Sequence, residues 1–391
     1  MRILSLSTVF PNPQEAGLGL FVHRRLHALA RLARVRVVAP IGPFDYDNPA
    51  RRGIGSRSTP RERSEEAIER IYHPAWLYPP GNGWVKGPLL AAQLIPLLAR
   101  IRKSYRFDLI DAHFLHPEGI SAWLMARTFS TPFVMTLRGN ELAYVRKSLH
   151  RPLMGRAARA AARLFPVSEQ LGDLARQLGA TPAQVLPIGN GVDASVYRPS
   201  DAPPPRNGRR LLILSAGRLI ELKGFHHIVR AVKILVDRGF NAELQIAGEA
   251  GRGMSSYAGE LSSLAASLGV ADRVELLGWV PPIELARRMS RADVFCLASS
   301  REGWPNVIAE AMACGSPVVA TDAGDVRRMI PSDRYGLWVP PGDPTKLANA
   351  LADALCRDWD RSALSAYAQE RSWDQVAREI AAELEAVLIE R

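Results

Sequence analysis

Short β-branched and aliphatic runs alternate along the chain with stretches whose apolar positions recur every three to four residues. RILSLST (2–8), RVRVVAP (34–40), FDLIDAH (107–113), PFVMTLR (132–138), RLFPVS (163–168) and QVLPIG (184–189) predict strands in the first half. LGLFVHRRLHALARLA (18–33) predicts an amphipathic helix between the first two. After YRPSDAPPPRNGRR, which reads as a stiff linker over 197–210, the alternation restarts. LLILSAGR (211–218), AELQIAG (242–248), RVELLGW (273–279), DVFCLAS (293–299) and SPVVAT (316–321) predict strands, and FHHIVRAVKILVDRG (225–239) a helix. A final helical stretch covers 373–390.

Strand–helix alternation of this kind implies parallel sheets with helices on both faces. The chain divides into two such α/β domains, over 1–196 and 211–372. The last helix, 373–391, is free to pack back on the first domain. Two doubly wound domains facing each other make a cleft, and ligands of such sheets sit beyond the carboxyl ends of the strands. Between 42 and 80 the pattern fails, and a loop that long usually serves function or is disordered.

With 391 residues, 47% hydrophobic and 23% charged, the chain is of ordinary globular composition for two domains. The three cysteines show no metal-ligand spacing, which fits a reducing cytosol. The opening segment is too short for a secretory signal. PLLAAQLIPLLAR (88–100) is interrupted by Pro96 and too short to span a bilayer, so no transmembrane segment is expected. The net charge of +11 is uneven. Residues 1–200 carry 27 Lys and Arg against 14 Asp and Glu, while residues 201–391 carry 23 against 25. That asymmetry points to an anionic partner for the first half, or to nothing more than Arg-rich solubility. Two segments there, 84–106 and 144–165, join apolar or Ala-rich runs to basic ends. They suit either an in-plane contact with an anionic membrane surface or core helices with solvated cationic faces. No nucleic-acid motif accompanies the charge, so nucleic acid is not expected as a partner.

Chemistry collects just after the predicted strands. In SSREGWPNVIAEAMACG the strand DVFCLAS gives way to a turn and then a helix, with Pro305 at its start and Gly315 past its end. Glu302 falls in the turn and Glu310 in the helix. Metal ligation lacks a completing His or Asp, and paired hydrolytic carboxylates remain an alternative. Hydroxyl recognition by two carboxylates plus the backbone N–H groups of Gly303, Trp304, Asn306 and Val307 fits the Gly-rich turn better. A solvated Glu310 is disfavoured by its apolar flanks. Arg218 leaves another strand, and Lys223 follows just before Gly224 and a helix. Two cations at a helix start suit a diphosphate.

With these segments in view, the chain closely resembles the retaining glycosyltransferases of family 4 (glycosyl transferases group 1), nearly end to end. The resemblance rests on AGRLIELKGF (216–225), LGVADRVELLGWVP (268–281), the stretch 292–324 containing E-x7-E, PIGNGVD (187–193), DLIDAHFLHPEGI (108–120) and EAGLGLFVHRRLHALA (15–30). It implies the GT-B fold, two Rossmann-like domains facing across a cleft. It also implies transfer of a sugar from a nucleotide-diphosphate donor to an acceptor hydroxyl with retention, and no metal or other cofactor. Arg218 and Lys223 would neutralise the diphosphate, Glu310 would accept from the ribose hydroxyls, and Glu302 would contact the transferred sugar. Gly303, Trp304, Pro305, Asn306 and Val307 would line the same donor site. Gly17 and Gly19 would let the backbone approach the donor phosphates and sugar. His113, rather than the nearby His116, matches the family's active-site histidine and would face the donor sugar. Many relatives carry His where this chain has Asp111 and Arg138, which singles out Arg138 as a contact to an acceptor or phosphate. The domain 1–196 is expected to bind the acceptor and the domain 211–372 the nucleotide sugar. The expected acceptor is a glycan or a lipid-linked, cell-envelope glycan, handled by a cytoplasmic enzyme peripheral to the membrane. The rival readings are a phosphorylase, an epimerase and a non-catalytic nucleotide- or glycan-binding protein of the same fold.

Overall fold

A computed structural model describes residues 1–42, 59–78, 83–200, 208–249 and 256–390. Much of the expected irregular loop (43–58 and 79–82) and of the expected linker (201–207) lies outside the described residues. The chain forms two compact units: Met1–Asn190 together with Trp373–Arg391, and Gly191–Ser372.

The sheet of the first unit has the order β3-β4-β2-β1-β5-β6-β7 among the described residues. Its strands are β1 (Arg2–Leu6), β2 (Arg34–Val38), β3 (Glu62–Arg63), β4 (Arg70–Tyr72), β5 (Leu109–His113), β6 (Phe133–Leu137) and β7 (Arg163–Pro166). All pairings are parallel except β3 with β4. The sheet of the second unit is parallel throughout, in the order β10-β9-β8-β11-β12-β13. It comprises β8 (Leu211–Ala216), β9 (Ala242–Ala247), β10 (Val274–Gly278), β11 (Val294–Leu297), β12 (Val318–Thr321) and β13 (Gly336–Val339). In each sheet the strand order reverses beside the first strand of the unit. The crevice for ligands therefore opens past the ends of β1 and β5 in one unit, and of β8 and β11 in the other.

Two sequence expectations change, and the structure adds strands that the pattern does not predict. QVLPIG is not a strand. Leu186 and Ile188 donate to the carbonyls of Leu164 and Pro166, but Pro166 has no N–H to return a bond, and an isolated bridge between Leu164 and Val185 is all that forms. The apolar segment around Pro96 is not broken there. A continuous helix, Lys86–Ser104, runs through it, because Pro96 faces solvent while Leu90, Leu94, Leu98 and Ile101 are buried on the opposite side. The strands β4 and β13 were hidden in short polar-flanked segments with no run of alternation.

The helix Trp373–Ile389 belongs to the first unit. Trp373, Val376, Ile380 and Leu384 pack into the same core as Ile3, Val22, Leu26 and Val35. Ion pairs from Arg31 to Asp374 and from Arg163 to Glu383 and Glu390 edge that contact.

Candidate active site

In the second unit the loops after β8, β11 and β12 converge. Gly224 adopts φ +67°, and a Cβ there would collide with the Ala298 carbonyl at the end of β11. Gly324, at φ +63°, lies as close to the carbonyls of Glu302 and Gly303. Only glycine fits both positions. Asp325 N–H donates to the Gly303 carbonyl at 3.1 Å, fixing the turn. The helix Asn306–Ala313 then starts one residue later than expected, with Pro305 as its N-cap and no side chain capping it. Its first N–H groups keep the positive end of the helix toward the turn.

Lys223 Nζ donates to Glu302 Oε1 at 2.5 Å, and Ser299 Oγ donates to the same oxygen at 2.6 Å. The expected diphosphate cation and the expected sugar reader are thus partners in this structure. Arg218 is exposed, and its side chain makes no hydrogen bond or ion pair among the described residues. Glu310 is half-buried on the helix. Trp304 packs against Arg371, whose guanidinium carbon stands 5.7 Å from the ring centre.

The strand ends of the first unit hold a second charged cluster. Asp111 is fully buried on β5, with Arg25 Nη2 3.5 Å from Oδ1, His113 Nε2 3.3 Å from Oδ2, and Ser5 Oγ donating to Oδ2 at 3.4 Å. Burial alone would raise the Asp111 carboxyl, but Arg25, then His113 and Arg138, hold it below its ordinary value. His113 is enclosed as well. Burial pushes its pKa down to about 4, against the pull of Asp111, so the ring is neutral. Arg138 Nη2 donates to His113 Nδ1 at 3.1 Å, and Nη1 to Asn190 Oδ1 at 3.0 Å. His113 therefore does not offer a face to a donor sugar in this structure: it is an inner prop for Arg138. Asp111, where the chain departs from the family pattern, is thus charge-paired with Arg25.

The two glycines of the first loop differ in kind. Gly19 takes φ +65° at the N-cap of the helix Leu20–Leu29, where a Cβ would meet the Val9 carbonyl. At Gly17 a Cβ would meet nothing within 4 Å. Gly19 is needed by the backbone, whereas Gly17 leaves open space.

Sequence reasoning missed Arg25, Glu141 and Glu118. Glu141 ties the ends of β5 and β6 by accepting from the N–H groups of Leu115, Arg138 and Gly139. Glu118 Oε1 accepts from Thr8 N at 2.8 Å and Thr8 Oγ1 at 2.6 Å. Burial raises its pKa to about 7 despite those bonds. The carboxylate at the middle of PEG (117–119) gives no local signal of such a partner.

Residues 16–191 match the glycosyl transferase 4-like domain family, and residues 198–371 match the glycosyl transferases group 1 family. A D-inositol 3-phosphate glycosyltransferase from Xylanimonas cellulosilytica is 32% identical over 301 residues, covering 69% of this chain and 70% of the relative. The chain is a group 1 glycosyltransferase. A putative teichuronic acid biosynthesis glycosyltransferase, TuaC of Bacillus subtilis, is 27% identical and matches over 91% of this chain and 89% of its own. Among solved structures, Anabaena HepE in complex with UDP superposes with a TM-score of 0.76 at 21% identity, over 99% of this chain and all of the other. The fold of the glycosyltransferase is accordingly GT-B, with a Rossmann-like unit in each half. The Lys223–Glu302 pair and Glu310 lie in the half matched by the group 1 family, and the Asp111–His113–Arg138 cluster in the half matched by the other.

Proposed function

We propose that this glycosyltransferase moves a sugar, with retention, from a uridine-diphosphate sugar to a hydroxyl of a cell-envelope glycan carried on a lipid. The observation that carries the reading is the grouping at the second unit's strand ends. Lys223 pairs with Glu302 in the turn before a helix start that no side chain caps, Arg218 is exposed on the loop that carries Lys223, and Glu310 is on that helix. Cations and N–H groups suit the diphosphate, and carboxylates suit the hydroxyls of ribose and sugar. The HepE structures with UDP and UDP-glucose support uridine as the base. The teichuronic acid relative supports an envelope glycan.

In the reaction the bond between the anomeric carbon and the diphosphate oxygen breaks, and a bond from the acceptor oxygen forms on the same face. The acceptor's proton passes to the departing phosphate oxygen. Negative charge grows on the diphosphate as the bond breaks, and Arg218 and Lys223 answer it, so that no metal is called for. When the donor arrives, the Lys223 ammonium exchanges part of its contact with Glu302 for phosphate, which frees Glu302 to accept from a sugar hydroxyl. Arg138, held by His113 and Asn190, presents its charge at the β6 end toward an acceptor or a phosphate.

Among the described residues no helix is long and apolar enough to cross a membrane. Peripheral binding from the cytoplasmic side would rest on the helix Arg151–Ala160, whose exposed positions include Arg151, Arg156 and Arg159. The apolar stripe of Lys86–Ser104 is spent on the core and is not available for it.

The test is release of nucleotide diphosphate from UDP-, GDP- and ADP-sugars, with and without membrane extract, beside Glu310→Ala. Release from a UDP-sugar that rises with extract and, at donor concentrations below the parent's KM, falls at least tenfold in the variant supports the reading. Folded protein that neither binds nor cleaves any of the donors sinks it and favours a non-catalytic binder. Indifference to anionic liposomes at low salt removes the membrane from the account.

A further inference from the structure

In the second unit a hollow of about 890 Å³ opens toward the amino ends of β8 and β9, beside the helix Pro282–Arg291. Five arginines line it: Arg209 and Arg210 just before β8, and Arg287, Arg288 and Arg291 on the helix. Glu243 and Gln245 of β9 and Glu284 of the helix add to its polar walls. Arg218 and Glu302 follow the opposite, carboxyl ends of β8 and β11, so the hollow lies a strand's length from them, roughly 20 Å. Residues 201–391 carry 23 Lys and Arg against 25 Asp and Glu, so the five arginines gather against the charge balance of their own half.

Three of the five have partners in the fold. Arg209 grips Asp293 with two bonds, Nη1 to Oδ2 at 2.6 Å and Nη2 to Oδ1 at 2.8 Å. Arg210 Nη2 donates to Asp272 Oδ2 at 3.0 Å, and Arg288 Nη1 to Gln245 Oε1 at 3.0 Å. Arg287 and Arg291 are exposed and make no hydrogen bond or ion pair among the described residues. They stand one turn apart on the helix, a spacing at which like charges repel. The helix end does not call for them, since Arg361 already donates to the carbonyls of Ser290 and Ala292. Arg288 Nε is buried and makes no hydrogen bond, although Glu284 Oε1 stands 3.1 Å away. Glu243 comes no nearer to Arg210 than 3.9 Å.

Every cation in the hollow is an arginine, whose planar fork holds two phosphate oxygens at once. Loosely held carboxylates beside such forks suit hydroxyls, and the volume is that of a small-molecule site. A lipid headgroup fits less well, because Glu243 and Glu284 stand among the arginines and would be turned toward an anionic bilayer. We propose that this hollow binds a free phosphate ester that carries hydroxyls, with Arg287 and Arg291 taking the phosphate and Glu243 and Glu284 the hydroxyls. It is a second ligand site of this chain, apart from the donor's, and its binding is measured without turnover.

The probes are inorganic phosphate, glucose 1-phosphate, glucose 6-phosphate and glycerol 3-phosphate, titrated into the full chain by calorimetry. Glucose serves as the hydroxyl-only control and phosphatidylglycerol vesicles as the lipid arm. At least one ester is expected to bind about fivefold or more tightly than inorganic phosphate, and glucose not at all. Arg287→Ser/Arg291→Ser should weaken that ester at least about tenfold while its melting temperature stays within about 2 °C of the parent. Arg287→Lys/Arg291→Lys keeps the charge without the forks and should still weaken it at least about threefold. Glu243→Gln should weaken the ester and leave inorganic phosphate unchanged. Arg218→Ala should leave ester binding within about twofold, which separates this site from the donor's. The proposal is overturned if no ester binds, if the Ser double variant binds as the parent does, if the Lys double variant restores full affinity, or if vesicles bind where the free esters do not. Ester binding that Arg218→Ala abolishes assigns the ligand to the donor site and overturns it as well.

Discussion

Lys223 Nζ and Glu302 Oε1 are 2.5 Å apart, whereas Arg218, on the same strand-end loop, pairs with nothing among the described residues. The two cations should therefore respond differently to removal. Lys223→Ala takes a hydrogen-bonded partner from a carboxylate that is largely buried, and both stability and activity should fall. Arg218→Ala should lower kcat by about a hundredfold, the usual effect of losing one preorganised group facing developing negative charge. Its melting temperature should stay within about 2 °C of the parent, since exposed, unpaired positions contribute little. Thermal melts and initial rates on the same preparations check this.

Glu310→Ala should act on donor affinity. Losing a charged acceptor for ribose hydroxyls costs about 1.5–3 kcal/mol, or roughly ten- to a hundredfold in donor KM. The acceptor KM should not move. Equal changes in both would place Glu310 outside the nucleotide's reach.

Asp111→Asn should be among the most damaging single changes in the first unit. It leaves Arg25 buried with its countercharge gone, a loss of about 3–5 kcal/mol by precedent for broken buried pairs. The Arg25→Leu/Asp111→Asn double variant should lose less than the sum of the singles. Urea midpoints for the four proteins decide it.

Glu118 makes stability depend on pH. Its carboxyl rises from an ordinary value of 4.5 to about 7 in the folded protein, so the folded state binds more protons between those values. Stability attributable to this group is then greatest below pH 4.5 and declines as pH rises to about 7, by up to about 3 kcal/mol. Glu118→Gln should flatten that part of the profile. Denaturation at pH 5 and pH 8 compares the two chains.

His116 works in the other direction. Burial, then His150 and Lys86, holds its pKa down to about 3. The unfolded chain takes up a proton near 6.5 that the folded one refuses, so stability is lost as pH falls below 6.5 toward 3. His116→Phe keeps a ring between Tyr144 and His150 and should unfold at lower pH. An unchanged acid midpoint would assign the acid sensitivity elsewhere.

The sequence made the second unit's site legible because its parts are local. Glu302 and Glu310 share one loop and helix, and Arg218 and Lys223 share another, so spacing and punctuation suffice. The first unit's cluster is not local. Arg25 sits on a helix that reads as an ordinary amphipathic segment, and only the pairing of β1 with β5 and the turn of that helix bring it to Asp111. For the same reason His113 reads as a residue free to reach a ligand. Its position at a strand end is visible in FDLIDAH, but its enclosure by Asp111 and Arg138 depends on the residue that follows β6. Burial also depends on everything packed above a residue, which is why the raised Glu118 carboxyl leaves no trace in DLIDAHFLHPEGI.

The helix Trp373–Ile389 fills a hollow in the first unit, yet the entire second unit precedes it on the chain. A ribosome making this protein releases the first sheet long before the segment that covers Val22 and Leu26 exists. Those side chains stay wet until the second unit has been made, and the second unit, being continuous, has the shorter wait for all its own parts. The order of maturation is then the reverse of the order of synthesis. A released chain truncated after Ser372 should yield a protease-resistant second unit beside a first unit that is still open to cleavage.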